Sequence, residues 1–386
     1  MMTLSPTYHF RAVAVVLAAV VLVGLSSGLA GATRFQVTNL VSDGFVPAAT
    51  IDPNLINPWG MSYAPTGPFW ISDNNAGLAT LYNGAGTKLG LEVTIAPPPG
   101  TGSSATPTGQ VFNGSPTDFV VSSGGKSASA LFLFATEDGT ISGWTPSVSF
   151  THSILAVDNS SVGAGAVYKG LALGSSGGAN FLYAANFRSG EVEMYNSTFS
   201  LVKSFTDPGL AAGYAPFDVR VLNGQLYVTF ALQDGAKHDD VSGPGNGYVD
   251  VFNLDGTFNQ RLVSLGGQIN SPWGLDLAPA AFGSFAGDLL VGNFGDGTIS
   301  AFDLTNGAFE GQLLDQNGVP IVLGNLWGLI NGNGAAGGNS DYLYFTAGLV
   351  DESHGLFGSI SAIPEPATLA LLGLGIAGIG FSRRKQ

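Results

Sequence analysis

A stretch of sequence near the start of the chain is repeated near its end, and this repeat determines the fold. The first copy reads Pro58-Trp59-Gly60-Met61-Ser62-Tyr63, Phe69-Trp70-Ile71-Ser72-Asp73-Asn74 and Gly77-Leu78-Ala79-Thr80-Leu81-Tyr82. The later copy reads Pro272-Trp273-Gly274-Leu275-Asp276-Leu277, Asp288-Leu289-Leu290-Val291-Gly292-Asn293 and Gly297-Thr298-Ile299-Ser300-Ala301-Phe302. Each copy is three short apolar segments separated by turn residues, a pattern typical of strands. The repeated unit is therefore predicted to be a small antiparallel sheet.

Four further units fill the space between and after these copies. They begin at Pro116-Thr117-Asp118, Tyr168-Lys169-Gly170, Pro216-Phe217-Asp218 and Leu326-Trp327-Gly328. Aligned on Gly60, Asp118, Gly170, Asp218, Gly274 and Gly328, the units are 58, 52, 48, 56 and 54 residues apart. Six repeats of three or four strands predict an all-β, six-bladed β-propeller.

The last unit predicts how the ring closes. It supplies only three strands, at Trp327–Ile330, Tyr342–Thr346 and Leu356–Ala362. The leading segment Arg34–Val41 has a strand pattern but no repeat of its own. We expect this segment to complete the sixth blade, because a ring closed in this way leaves no exposed edge.

The two ends of the chain have the composition of processing signals. Residues 1–32 contain a basic start, an apolar run and the small-residue pattern Ala30-Gly31-Ala32 that signal peptidase accepts. The run, Ala12–Leu25, is shorter than the ~20 residues that a spanning helix needs, which favours cleavage over a membrane anchor. The predicted organisation is a signal peptide over 1–32, a propeller over 33–361 and a tail over 362–386.

The tail has three parts in a fixed order. Pro364-Glu365-Pro366 is followed by the apolar stretch Ala367–Phe381 and then by Arg383, Arg384 and Lys385. This layout resembles the PEP-CTERM sorting tail of exported Gram-negative proteins. The resemblance implies a short transmembrane helix, an inner-membrane intermediate, cleavage by exosortase, and release to the outer surface or to an extracellular matrix rich in exopolysaccharide.

The body also resembles a family of exported six-bladed propellers that often carry such tails. The resemblance rests on Asn39–Asp43, Asn57–Gly60, Tyr214–Phe217 and, above all, Lys237–Tyr248. A more distant similarity connects the repeats with NHL and gluconolactonase-type propellers. These resemblances imply a fold and export, and they imply no particular reaction.

Charge and cysteine content exclude several classes of function. Between residues 33 and 361 the chain has 9 basic and 26 acidic residues, a net charge of −17. Such a surface disfavours nucleic acid and anionic lipid, and it favours association with cations. Cysteine is absent, which excludes disulfides, thiolate metal ligands and thiol nucleophiles.

One candidate site is predicted where the innermost strands begin, at the mouth of the central channel. Asp118 and Asp218 are expected to face each other there, and Asn186 and Asn293 would add amide oxygens. Such a set could hold Ca²⁺, the candidate cofactor, because this ion prefers oxygen ligands. In the alternative, which we favour slightly, Lys169 bridges the two acids without a metal. Both predictions stand against a plainer interpretation, in which the polar residues only satisfy turns.

A second candidate site is an insertion in the fourth unit. The segment Asp234–Asn246 contains His238, Asp239 and Asp240. A histidine beside two carboxylates can titrate near neutrality or bind a metal or another ligand. The plainer interpretation is a solvated loop.

Three tryptophans recur immediately before glycine in three units. Trp59, Trp273 and Trp327 are expected to pack between blades, with sugar stacking as a less favoured role. The sequence as a whole predicts an exported binding or structural module of the envelope or matrix. The alternative is a metal-dependent hydrolase or lyase of gluconolactonase type, with its site at the channel mouth.

Overall fold

The computed structural model describes residues 33–266 and 268–364, and this part of the chain is built from strands and turns. The strands are β1 (Arg34–Ser42), β2 (Thr50–Ile51), β3 (Pro58–Ser62), β4 (Phe69–Asp73), β5 (Leu78–Tyr82), β6 (Lys88–Thr94), β7 (Pro107–Phe112), β8 (Val120–Ser123), β9 (Lys126–Ser129), β10 (Phe132–Thr136), β11 (Thr140–Trp144), β12 (Ile154–Asp158), β13 (Tyr168–Ser176), β14 (Ala179–Asn186), β15 (Glu191–Asn196), β16 (Leu201–Phe205), β17 (Tyr214–Leu222), β18 (Gln225–Leu232), β19 (Tyr248–Phe252), β20 (Phe258–Val263), β21 (Pro272–Leu277), β22 (Leu289–Asn293), β23 (Ile299–Phe302), β24 (Phe309–Gln312), β25 (Leu314–Asp315), β26 (Leu326–Asn331), β27 (Leu343–Ala347) and β28 (Leu356–Ala362). Helical turns are short, at Asn74–Ala76, Ala280–Phe285 and Leu349–Glu352.

The sheets are the six blades of a propeller, as predicted. From the inside outward they are β3-β4-β5-β6, β7-β10-β11-β12, β13-β14-β15-β16, β17-β18-β19-β20, β21-β22-β23-β24 and β26-β27-β28-β1. The first strand of each blade contacts the first strands of both neighbouring blades, and the contacts return from β26 to β3. These six strands therefore surround one axis.

The closure predicted for the sixth blade is confirmed. β1 pairs antiparallel with β28, from Phe35 opposite Ala362 to Ser42 opposite Leu356. Phe35 is buried against Phe282, with ring centroids 4.8 Å apart. The strand closest to the chain start therefore completes the blade formed by its end, and the short strands β2 and β25 flank β1 in parallel.

The start predicted for the second unit is wrong. The innermost strand of blade 2 is β7, and Pro116–Asp118 follows it, in the loop that leads to the β8–β9 hairpin. The inner strands pack so tightly that five of the six have glycine at the point of closest approach. A Cβ on Gly109 would lie 2.3 Å from the Leu171 nitrogen, and one on Gly274 would lie 2.4 Å from the Trp327 oxygen. In blade 2 this glycine is Gly109.

The propeller has two faces, which we name from the direction of the innermost strands. These strands begin at the upper face and end at the lower face. Because neighbouring strands are antiparallel, the turn between the second and third strands of every blade also lies at the upper face. Among the described residues no helix is long and apolar enough to cross a membrane. The predicted signal peptide and tail helix lie outside those residues.

Candidate functional site

The axis is closed near the upper face by the three repeated tryptophans, which we call the tryptophan plug. The rings of Trp59 and Trp327 stack with centroids 3.4 Å apart, and Trp273 meets them edge-on at 6.0 and 5.7 Å. All three are at most 3% exposed. The predicted packing role is therefore confirmed, and the covered rings present no face on which a sugar could stack.

A buried lysine lies on the plug. Lys169, the second residue of β13, is 2% exposed, and its Nζ is 5.0 Å from the centroid of the Trp59 ring. The ammonium group forms ion pairs with Glu137 and, at 3.3 Å, with Asp239. Burial alone would lower the pKa of Lys169, but the two carboxylates outweigh it and the pKa is raised. The lysine is therefore charged.

Two asparagines of blade 1 connect the plug to the surrounding acids. Asn57 accepts a hydrogen bond from Trp327 Nε1 at 2.9 Å and donates one to Glu352 Oε2 at 2.7 Å. Asn74 donates to Glu137 Oε2 at 2.9 Å. We call this group the Lys169 cluster, consisting of Lys169, Glu137, Asp239, His238, Glu352, Asn57 and Asn74.

The blade 6 turn places Glu352 in the cluster at a cost in backbone strain. Val350, Asp351 and Glu352 have φ values of 54°, 49° and 64°, a left-handed conformation that costs about 1–2 kcal/mol per residue. The turn is held by Asn75, whose Nδ2 donates to the Glu352 carbonyl at 2.7 Å. Burial raises the pKa of Glu352 to about 7. Strain of this kind concentrates at functional sites.

The fourth-blade insertion supplies the exposed side of the cluster. His238 Nδ1 is 2.9 Å from Asp239 Oδ1, which raises the pKa of His238 and lowers that of Asp239 to about 2. Ligand atoms of Glu137, His238 and Asp239 all lie within 4.8 Å of one another, close enough for one metal ion. Lys169 already pairs with both carboxylates of this set, so a divalent ion would compete with its ammonium group for them.

The structure corrects the first predicted metal set. Asp118 lies at the lower face, where its Oδ2 accepts a hydrogen bond from Asn180 Nδ2 at 2.6 Å. Asp218 lies on the axis, beside Gly170, at the position where the other five blades have glycine. The two acids therefore do not share a channel mouth. Lys169 does bridge two acids, but they are Glu137 and Asp239.

The predicted amide ligands serve their own blades. Asn186 Nδ2 donates to Glu193 at 2.8 Å, and Asn293 Oδ1 accepts from the Asn270 nitrogen at 3.1 Å. Asp240, beside the cluster, accepts a hydrogen bond from Ser242 at 3.0 Å. The structure thus brings together Lys169, His238 and Asp239, while Asp118, Asn186 and Asn293 have other hydrogen-bond partners.

Sequence reasoning did not select four members of the cluster as site residues, namely Glu137, Glu352, Asn57 and Asn74. Glu137 and Asn74 lie in the turns between the second and third strands of their blades, and Asn57 precedes the Pro-Trp-Gly motif. The sequence could have indicated that these turns share a face, because the turn between the second and third strands lies at the upper face in every antiparallel blade. The distance between them depends on turn conformation, which the residue pattern does not reveal.

Comparisons with known proteins identify a sorting motif and a family. Residues 362–385 match the PEP-CTERM protein-sorting motif. The uncharacterized protein R648 of Acanthamoeba polyphaga mimivirus is 33% identical over 337 residues, which cover 85% of this chain and 80% of the viral one. A second protein of that virus, the uncharacterized protein L690, is 33% identical over 84% of this chain and 85% of its own length. The chain belongs to the family of these proteins.

Solved structures agree on the fold alone. The apo-form of the soluble aldose sugar dehydrogenase of Escherichia coli has a TM-score of 0.52 at 12% identity, covering 86% of this chain and all of that one. An α-L-arabinofuranosidase of Fusarium graminearum has a TM-score of 0.50 at 10% identity, covering 86% of this chain and 98% of that one.

The matched sorting motif indicates a protein exported through exosortase in a Gram-negative bacterium.

Proposed function

We propose that the chain is an exported binding module of the cell envelope or extracellular matrix, and that its ligand binds at the upper face over the Lys169 cluster. The observation that carries this proposal is the cluster itself. A lysine and three carboxylates from blades 2, 3, 4 and 6 meet on the axis. One of the acids, Glu352, is held there by a strained turn.

The charge of the whole exported body defines the ligand class. Within the cluster Lys169 and His238 face Glu137, Asp239 and Glu352, whereas the body of the chain is strongly acidic. An acidic polysaccharide would be repelled, whereas a neutral or amine-bearing exopolysaccharide would be accepted. The proposed ligand is therefore an exopolysaccharide of that kind.

Retention on immobilised exopolysaccharide from the producing bacterium tests this proposal. We expect the double variant Asp239→Asn, Glu352→Gln to bind at least tenfold more weakly than the wild type. Asp341→Asn removes an acid from an exposed position at the lower face and should be retained like the wild type. Equal retention of all three proteins would contradict a ligand site at the upper face.

Processing at both ends completes the proposal. Signal peptidase would remove residues 1–32, and exosortase would remove the segment after Pro366. The intact mass of protein released from the envelope measures both events. A mature species that retains Arg383–Lys385 would contradict the proposed sorting.

A metal-dependent hydrolase or lyase is the second candidate, favoured by the close approach of Glu137, His238 and Asp239. Melting temperature with EDTA and with millimolar Ca²⁺ or Mn²⁺, together with a lactone and ester panel, separates the two candidates. Turnover, with a metal-dependent rise that disappears in His238→Gln, would support the enzyme. Absence of both effects would leave the binding module as the surviving candidate.

A further inference from the structure

The axial channel opens below the tryptophan plug into a second space at the lower face. This lower funnel has a volume of about 280 Å³. That volume lies just below the range of about 300–1,000 Å³ for small-molecule pockets, so a small ligand would fit. The apolar part of its wall comes mainly from the innermost strands and includes Met61, Val111, Leu171, Leu173, Val221 and Ile330.

One charged side chain marks the narrow end of the funnel. Arg220 lines both the funnel and a cavity of about 20 Å³ above it, which also contacts Asp218. The two residues are two positions apart on β17, so both side chains face the channel. A guanidinium group with apolar walls below it is a binding site for an anion that carries an apolar body.

Arg220 retains capacity for a ligand. Its Nη2 pairs with Asp276 Oδ2 at 3.2 Å, the one ion pair that Arg220 makes within the described residues. Asp276 also accepts hydrogen bonds from the backbone nitrogens of Asn331 and Leu277, both at 2.8 Å. The two backbone donors and Arg220 therefore share the negative charge of Asp276. Since a guanidinium group has five N–H groups, Arg220 can also bind a second carboxylate.

Asp218 does not compete for the guanidinium at neutral pH. Burial raises the pKa of Asp218 to about 8, although the Val219 N–H and the charge of Arg220 act in the opposite direction. Burial also raises the pKa of Tyr63, the other titratable side chain in the funnel wall besides Arg220. At neutral pH, therefore, the charge facing a ligand comes from Arg220 and its partner Asp276.

We propose that the lower funnel binds a small amphipathic carboxylate, with the carboxylate on Arg220 and the apolar chain against the funnel wall. This site is independent of the exopolysaccharide site at the upper face. Charge complementarity selects the carboxylate, and the apolar wall selects the chain. A neutral molecule of the same shape lacks the first of these interactions.

Calorimetric titration with hexanoate and with hexanamide tests the inference. We expect saturable binding of hexanoate at pH 7, at least tenfold weaker binding of hexanamide, and at least a tenfold loss of hexanoate affinity in Arg220→Gln. Arg220→Lys keeps the charge and should retain most of the affinity. Arg188→Gln, which removes a guanidinium at the upper face, should bind like the wild type. No hexanoate binding, equal binding of the amide, or an unaffected Arg220→Gln would overturn the inference.

The pH dependence provides a second readout. As pH rises through about 8, Asp218 becomes charged beside Arg220 and Asp276, and hexanoate affinity should fall. Asp218→Asn should remove that fall while keeping the affinity at pH 7. A fall that persists in Asp218→Asn would assign it to another group and contradict this part of the inference.

Discussion

The two ends of the propeller axis are built from the same repeated strands and have opposite chemistry. At the upper face the axis is covered by the tryptophan plug and by the ion-paired side chains of the Lys169 cluster. At the lower face it opens into a funnel with Arg220 at its narrow end. The inner strands supply Lys169 at the upper end and Arg220 at the lower end, and the turns supply the partners of Lys169.

The turns contribute to the contrast through the residues they carry. At the upper face, residues 233–247 of blade 4 and 348–355 of blade 6 bring Asp239 and Glu352 over the axis. At the lower face, blades 3 and 4 turn with two residues each, Gly177-Gly178 and Asn223-Gly224, whereas blades 2, 5 and 6 have longer connections, over residues 113–131, 278–288 and 332–342. The upper-face turns thus add carboxylates to the charged residue that an inner strand supplies.

The largest effect is expected from the buried charge at the upper face. Lys169→Met should lower the free energy of unfolding by about 3–5 kcal/mol, because Glu137 and Asp239 lose their counter-charge. Adding Glu137→Gln should recover part of this loss. Lys126→Met, at an exposed position on β9, should change stability by less than about 0.5 kcal/mol. Urea denaturation measures all four proteins, and a loss below about 1 kcal/mol for Lys169→Met would show that the pair is not stabilising.

Next in size is the pH dependence caused by Asp218. Its folded pKa of about 8 exceeds the ordinary aspartate value of 3.8, so the folded state binds the proton more tightly. Its contribution to stability is therefore complete in acid and is lost as pH rises from about 4 to about 8, with a slope of at most about 1.4 kcal/mol per pH unit. Asp218→Asn should flatten this part of the profile measured by urea denaturation.

Asp255→Asn is the control for the Asp218 profile. The hydrogen bonds from Thr257 lower the pKa of Asp255, so this change should affect only the acid limb. A wild-type profile that is level between pH 4 and 8 would contradict the burial of Asp218 as a neutral group.

Glu352→Gln should have a smaller effect of the same sign. The folded pKa of about 7 lies above the ordinary glutamate value of 4.5, so stability is lost as pH rises between these values. Because the side chain is partly exposed, we expect Gln to stabilise the protein by about 1 kcal/mol at pH 8. Differential scanning fluorimetry across pH 5–8 measures the change. A variant that is less stable than the wild type at pH 8 would show that the charged form is preferred.

The smallest effect is expected at Asp118. This half-buried acid at the lower face has an amide partner and no contact with the Lys169 cluster. Asp118→Asn should change the free energy of unfolding by less than about 0.5 kcal/mol. It should also leave retention on the exopolysaccharide unchanged. Weaker retention of this variant would indicate that the ligand binds at the lower face, contrary to the proposal.

The sequence predicted the fold better than the site, for a physical reason. Pro-Trp-Gly recurs because five of the six inner strands have glycine at the point of closest approach, and this made the repeat and the closure by β1 visible. In blade 2 this glycine is Gly109 between Thr108 and Gln110, without a tryptophan. Because Pro116-Thr117-Asp118 has the same Pro-x-Asp pattern as Pro216-Phe217-Asp218, it was wrongly predicted to begin the inner strand of blade 2.

The site followed from the sequence only in part. Lys169 was predictable because it stands beside Gly170 on an inner strand, and this fixes its place near the axis. Its partners Glu137 and Asp239 come from turns of different blades. Glu352 reaches the cluster through three successive positive φ values, a conformation unusual for Val350 and not encoded by residue type.

Hydrogen exchange of the wild-type protein, with and without the purified exopolysaccharide, tests the central claim most directly. Binding over the Lys169 cluster should slow exchange in the upper-face turns at residues 137–139, 233–247 and 348–355. The lower-face turns at residues 177–178 and 223–224 should exchange at unchanged rates. Protection confined to the lower face or to the outer strands, or no protection at saturating polysaccharide, would contradict the account.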